Sequence, residues 1–240
     1  MSKKLLATTA LVALSVSGAA LTTFAAADAT KGENTANVTV LPGDEEPTTP
    51  VDPTDPTGQK GNLTVDNLID FKFNDVKLAS NEFRTGLKDI NTGGRGKDNQ
   101  KRNIQVTDKR GTGAGWTLRL AQSKMMSTTV KEGNKSELKG AYISIPTVSP
   151  ETNVYTTVDN KNPQAKPVTL GYKFVEGKYG EPQKFAEAAK ENGMGTWVFN
   201  TNTSKEDKVE LVIPAGNFTG TYEGIMTWSV VDLDTQLPAK

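Results

Sequence analysis

The chain has 240 residues, with no cysteine, no histidine and 28 basic side chains against 28 acidic ones. The missing cysteines exclude disulfides, thiolate nucleophiles and cysteine-based metal sites. The missing histidines exclude the Ser-His-Asp triad and the commonest general base and zinc ligand, so a binding role stands ahead of an enzymatic one and no cofactor or metal is expected.

Met1-Ser2-Lys3-Lys4 is a short cationic start, and Leu5 to Leu21 is an uncharged, alanine-rich run. Phe24-Ala25-Ala26-Ala27-Asp28 then supplies the small residues of a signal-peptidase site. Residues 1–27 therefore read as a secretory signal peptide. The apolar run is short and only moderately apolar for a membrane span, and no later stretch approaches that length, so the protein is not expected to span a membrane. An exported chain without cysteine has no lipidation site and fits a Gram-positive bacterium. The chain shows no LPxTG motif with an apolar tail, so attachment at the cell surface is expected to be non-covalent.

Residues 28–60 hold Pro42, Pro47, Pro50, Pro53 and Pro56 and no aromatic side chain. Their acids are Asp28, Glu33, Asp44, Glu45, Glu46, Asp52 and Asp55 against Lys31 and Lys60, a net −5. Such a stretch lacks apolar area to bury, and proline removes backbone donors, so it reads as an extended, disordered tether. Residues 61–240 form the folded domain. With 24 basic and 21 acidic groups, it is about +3.

The domain reads as β throughout. Alternation at period two marks Ile69–Phe73, Asn103–Thr107, Trp116–Leu120, Val209–Ile213 and the stretch through Tyr222, Met226, Trp228 and Val230. Turn signals at Gly111–Gly115, Gly133-Asn134, Asn192-Gly193 and Pro214–Gly216 separate them. One segment differs. Pro182 to Asn192 contains Phe185-Ala186-Glu187-Ala188-Ala189-Lys190 before Gly193, which predicts one short helix with a glycine stop. The expected fold is all-β, a sandwich or open barrel of short antiparallel strands with that single helix.

Two segments carry a resemblance. The first is Asp108-Lys109-Arg110-Gly111 followed by Gly115-Trp116-Thr117-Leu118; the second is Tyr222 with Trp228-Ser229-Val230 near the end of the chain. Together they resemble the WxL cell-surface family of low-GC Gram-positive bacteria. Val230 stands where the family pattern has leucine, a conservative apolar exchange. The resemblance covers residues 61–240. It implies a module bound non-covalently to the cell wall, through peptidoglycan or another wall polymer. It also implies partner surface proteins of the same kind and, in some relatives, adhesion to host extracellular matrix. The motif residues Trp116, Thr117, Leu118, Tyr222, Trp228, Ser229 and Val230 are the binding candidates it implies. The residues themselves leave two readings open: a tryptophan plate for sugars or an interface, or alternation that simply points Trp116, Leu118 and Leu120 into the core.

Asp108 and Arg110, two apart beside a glycine-rich loop, read as a structural staple. Between Arg84 and Arg110 the chain carries eight basic groups against Asp89, Asp98 and Asp108. Arg95, Lys97, Lys101 and Arg102 in this stretch are candidates for contact with an anionic wall polymer; an exported protein is a poor match for nucleic acid. Gly96-Lys97 lacks the earlier glycine and following Ser/Thr of a phosphate loop. Asp89–Gly93 lacks the ligands of a calcium loop. The spacing of the carboxylates singles out no catalytic pair.

Overall fold

The structure is a computed structural model that describes residues 35–51, 56–68, 70–88, 102–152, 166–175, 177–201 and 208–233. The chain divides into two units, Met1–Thr39 and Val40–Lys240. Of the first, residues 35–39 are described and are exposed and irregular. The basic side chains Arg95, Lys97 and Lys101 and the whole of the expected signal peptide, residues 1–27, fall outside the described residues.

The second unit is built from antiparallel sheets, and no helix occurs among its described residues. One sheet runs β1 (Leu63–Asn67), β3 (Arg102–Asp108), β11 (Gly195–Thr201) and β7 (Glu151–Thr152). A second runs β14 (Met226–Asp232), β4 (Trp116–Gln122), β10 (Gln183–Ala188) and β8 (Val168–Thr169). A third runs β2 (Phe83–Gly86), β12 (Glu210–Ile213), β6 (Tyr142–Ile145) and β9 (Tyr172–Lys173). A two-stranded piece joins β13 (Tyr222–Glu223) to β5 (Met126–Ser127). The alternating strands bury their apolar parity into one continuous cluster that includes Val65, Ile104, Val106, Trp116, Leu118, Leu120, Ile143, Phe185, Trp197 and Phe199.

The short helix is corrected. Gln183–Ala188 is strand β10, paired to β4 on one side and β8 on the other. Alanine and glutamate favour a helix, but an isolated helix of two turns is marginal, while a central strand gains ladder bonds from both neighbours. Phe185, Ala186 and Ala188 have no exposed surface. A register shift between Lys184 and Ala186 lets Phe185 and Ala186 both bury. Around Ile69–Phe73 the expected strand reduces to a bridge from Phe73 to Leu87; residue 69 is not described.

The described parts of the acidic, proline-rich stretch, residues 43–51 and 56–60, make specific contacts at β1 and at the end of β3. Gly43 N–H donates to Lys109 O (2.9 Å), Gly61 N–H to Glu45 O (2.8 Å) and Thr57 N–H to Asp66 O (2.9 Å). Pro56 forms a bridge with Asn67. Pro56 and Thr57 thus lie along the outer edge of β1, where a proline lacking a donor ends the sheet instead of offering it a further strand.

Tyr172, on β9, is buried. Burial pushes its phenol up to about 12, against an ordinary value of about 10. The folded state therefore holds this proton more tightly than the unfolded state does. The resulting stability is fully present below pH about 10 and is lost as the pH rises toward 12. The melting temperature of the native protein is expected to fall across that window. In Tyr172→Phe the fall should be shallower. An identical alkaline profile for the two proteins would contradict this assignment.

Candidate functional site

The two motif copies, distant in sequence, lie side by side. β14 pairs antiparallel with β4 so that Trp228 opposes Leu120, Val230 opposes Leu118 and Asp232 opposes Trp116. The branched Val230 thus packs beside Leu118 across the ladder, which accounts for valine serving at this position.

Trp116 and Leu118 have no exposed surface. The Trp116 ring meets Phe199 edge-on (centroids 6.4 Å, 86°), Phe199 meets Phe185 (5.8 Å, 73°), and Phe185 meets Trp228 (5.1 Å, 85°). This edge-to-face chain ties the first sheet to the second and contributes beyond area burial alone. Trp116 Nε1–H donates to Gly193 O at 2.9 Å, so the one polar atom of the buried ring is satisfied. Trp228 and Val230 are half-buried on the edge strand, as is Ser229. Thr117 is buried on the opposite face of β4, between Glu187 and Val231. Tyr222 is half-buried, and its hydroxyl donates to Phe218 O at 2.9 Å.

Glycines make this corner possible. Gly115 has φ +74°, and a Cβ there would come within 2.5 Å of Ala188 O. Gly193 has φ +73°, and its Cβ would come within 2.3 Å of Ala188 Cβ and 2.8 Å of Trp116 Nε1. A side chain at either position would combine left-handed backbone strain with a clash.

Arg110 closes the same corner. Its Nε and Nη2 grip Asp108 Oδ1 and Oδ2 at 2.9 and 2.8 Å, a bidentate fork. Its backbone N–H also donates to Asp108 Oδ1, and Nη2 donates to Gly115 O at 2.8 Å. Arg110 Nη1 pairs with Asp232 at the end of β14. One guanidinium therefore holds the end of β3, the glycine-rich loop and the end of the second motif strand. Arg102, by contrast, opens β3 and sits apart from this cluster in sequence.

Sequence reasoning missed three residues that the site uses. Asp232 gives no local signal, because its role depends on strand register. Gly193 reads as an ordinary turn signal, although its carbonyl accepts the Trp116 bond. Gln122 is buried and joins the second sheet to the third: its Oε1 accepts from Ile143 N–H at 2.8 Å and its Nε2 donates to Ala141 O at 3.3 Å. Among the described residues no group of three or more acidic side chains could hold a metal ion, and no helix is long and apolar enough to cross a membrane.

No curated protein matches the chain, and no solved structure does. The family model described as WxL domain surface cell wall-binding matches residues 27–233. With the match spanning nearly the whole chain and the two Trp strands paired in one sheet, this protein belongs to the WxL domain family of cell wall-binding surface proteins.

Proposed function

We propose that this protein is exported through its N-terminal signal sequence and attaches non-covalently to peptidoglycan through the β domain, without catalysing a reaction there. The observation that carries the reading is the family match over residues 27–233. Burial of Trp116 and Leu118 supports a division of labour in which the motif strands form the scaffold and other surfaces meet the wall. The basic stretch containing Arg95, Lys97, Lys101 and Arg102 suits the phosphates of anionic wall polymers and would add a salt-dependent share of the binding.

The test is co-sedimentation of the mature chain with purified peptidoglycan sacculi. Saturable binding above an albumin control is expected. No binding above that control would overturn the reading. A second reading, an adhesin or complex subunit that binds a partner surface protein or host matrix, is favoured by exposed Met126 on β5 and Ile225 beside β13. It predicts saturable binding to such a protein and none to bare sacculi.

A further inference from the structure

The first sheet buries both of its faces, and the two differ in kind. One carries Val65, Val106 and Trp197 in register across three strands and belongs to the core. The other carries Thr64, Asp66, Gln105, Thr107 and Thr196, each at most 6% exposed. These form one network. Asp66 accepts from Thr64 Oγ1 (2.6 Å), Thr107 Oγ1 (2.5 Å) and Gln105 Nε2 (3.0 Å), and Thr107 and Thr196 share a hydrogen bond at 2.9 Å. A face meant only to be packed gains more from Val or Ile than from five hydrogen-bonding side chains.

What covers this face at Gln105 is the strap that precedes β1. Val51 N–H donates to Gln105 Oε1 at 2.8 Å. Pro50 is buried, and the Thr48 hydroxyl is shut off from solvent with no hydrogen-bond partner. The strap is packed imperfectly, since it leaves one of its own hydroxyls buried without a partner. The side-chain ties that hold it lie near solvent. Lys109 Nζ reaches Asp44 (3.1 Å) and Glu46 O (2.9 Å), and Lys60 pairs with Glu46 at 3.1 Å. Ion pairs so exposed are weak and are screened by salt.

We propose that residues 43–51 are a displaceable strap over a ligand site formed by Thr64, Asp66, Gln105, Thr107 and Thr196, and that the strap's Val51 amide occupies the place of a ligand's secondary amide. The matching ligand chemistry is an amide N–H flanked by hydroxyls, as in an N-acetylated sugar: the amide donates to Gln105, and the hydroxyls donate to Asp66 and exchange bonds with the threonines. This inference rests on the wall-binding reading for its ligand. Peptidoglycan offers such amides on its glycan strands, and its stem peptides also offer amide N–H groups.

The test compares the mature chain with the loosened variant Val51→Pro/Asp44→Asn, which removes the amide donor and one ionic tie. Both are titrated onto purified sacculi. The variant is expected to bind about ten-fold more tightly, as closure of the site no longer competes with the ligand. Adding Thr196→Val to it should abolish that gain while melting and circular dichroism remain those of a folded chain. Gln105→Met is the alternative where Thr196→Val does not fold. Equal affinity of the mature and loosened chains would overturn the strap while leaving wall binding intact. Absence of binding by both would overturn wall binding and the strap's ligand together. Competition by peptide-free glycan strands assigns the amide to the sugar. Competition by free stem peptide alone moves it to the peptide. Competition by neither overturns the ligand chemistry.

Discussion

Trp116→Ala is expected to destabilise the domain by about 3–5 kcal/mol, the range for deleting a large buried aromatic ring. The ring is fully buried, contacts Phe199 edge-on and donates to Gly193 O. Its loss leaves a cavity between the two main sheets and an unpaired carbonyl at a tight turn. A domain of this size has a total stability of roughly 5–15 kcal/mol, so much of it would be lost. The melting temperature should fall on the order of 10 °C. Trp228→Ala, on the half-buried edge strand, should cost less. Thermal melting of the two variants checks both statements. A Trp116→Ala protein that melts with the wild type yet no longer sediments with sacculi would show instead that the ring is a contact surface.

The second large effect is expected at Arg110. Arg110→Ala strips the bidentate partner from Asp108, whose side chain is only 1% exposed. Removing one member of a buried pair leaves an uncompensated charge, at a cost of about 3–5 kcal/mol. The variant also loses the tie to Gly115 O and to Asp232, so the loop over 110–115 should become sensitive to protease. Arg110→Lys should recover only part of the loss, because an ammonium cannot form the fork. The double variant Asp108→Leu/Arg110→Met should be more stable than Arg110→Ala, since it buries no lone charge. Urea unfolding of these proteins decides the matter. Strictly additive effects of single changes at Asp108 and Arg110 would show that the two groups do not act as a pair.

Much of the fold was legible in period-two alternation. Asn103–Thr107, Trp116–Leu120 and Val209–Ile213 each lie within or overlap strands of the structure, because a half-buried strand must place alternate side chains in the core. The failure at Gln183–Ala188 has a physical cause. Alanine is as good at filling a crowded sheet interior as at forming a helix, and only neighbours decide between them. Val198 and Val212 add a second lesson. They fall on the parity opposite Trp197, Phe199, Leu211 and Ile213, yet all six are buried, so alternation does not tell which strands are covered on both sides.

The candidate site was legible in its residues but not in its arrangement. Asp108 and Arg110 form a close charged pair at the edge of the glycine-rich loop. Trp116-x-Leu118 and Trp228-x-Val230 were visible as copies. That they pair with one another, with Val230 beside Leu118, depends on register between strands far apart in the chain. The network around Asp66 was invisible as such. Thr64, Gln105, Thr107 and Thr196 are ordinary solvent-facing choices in a strand, and nothing local says that they share a covered face.

The sequence by itself determined the family, the all-β class and the identity of the buried parity on several strands, because each follows from local residue types and spacing. Tertiary structure alone decided that the motif tryptophans pack inward, that Asp232 completes the Arg110 clamp and that the acidic stretch before β1 lies over a polar face. Each of those outcomes turns on which segments of the chain meet. That choice is fixed by burial and hydrogen bonding summed over the whole core, not by any one window of residues.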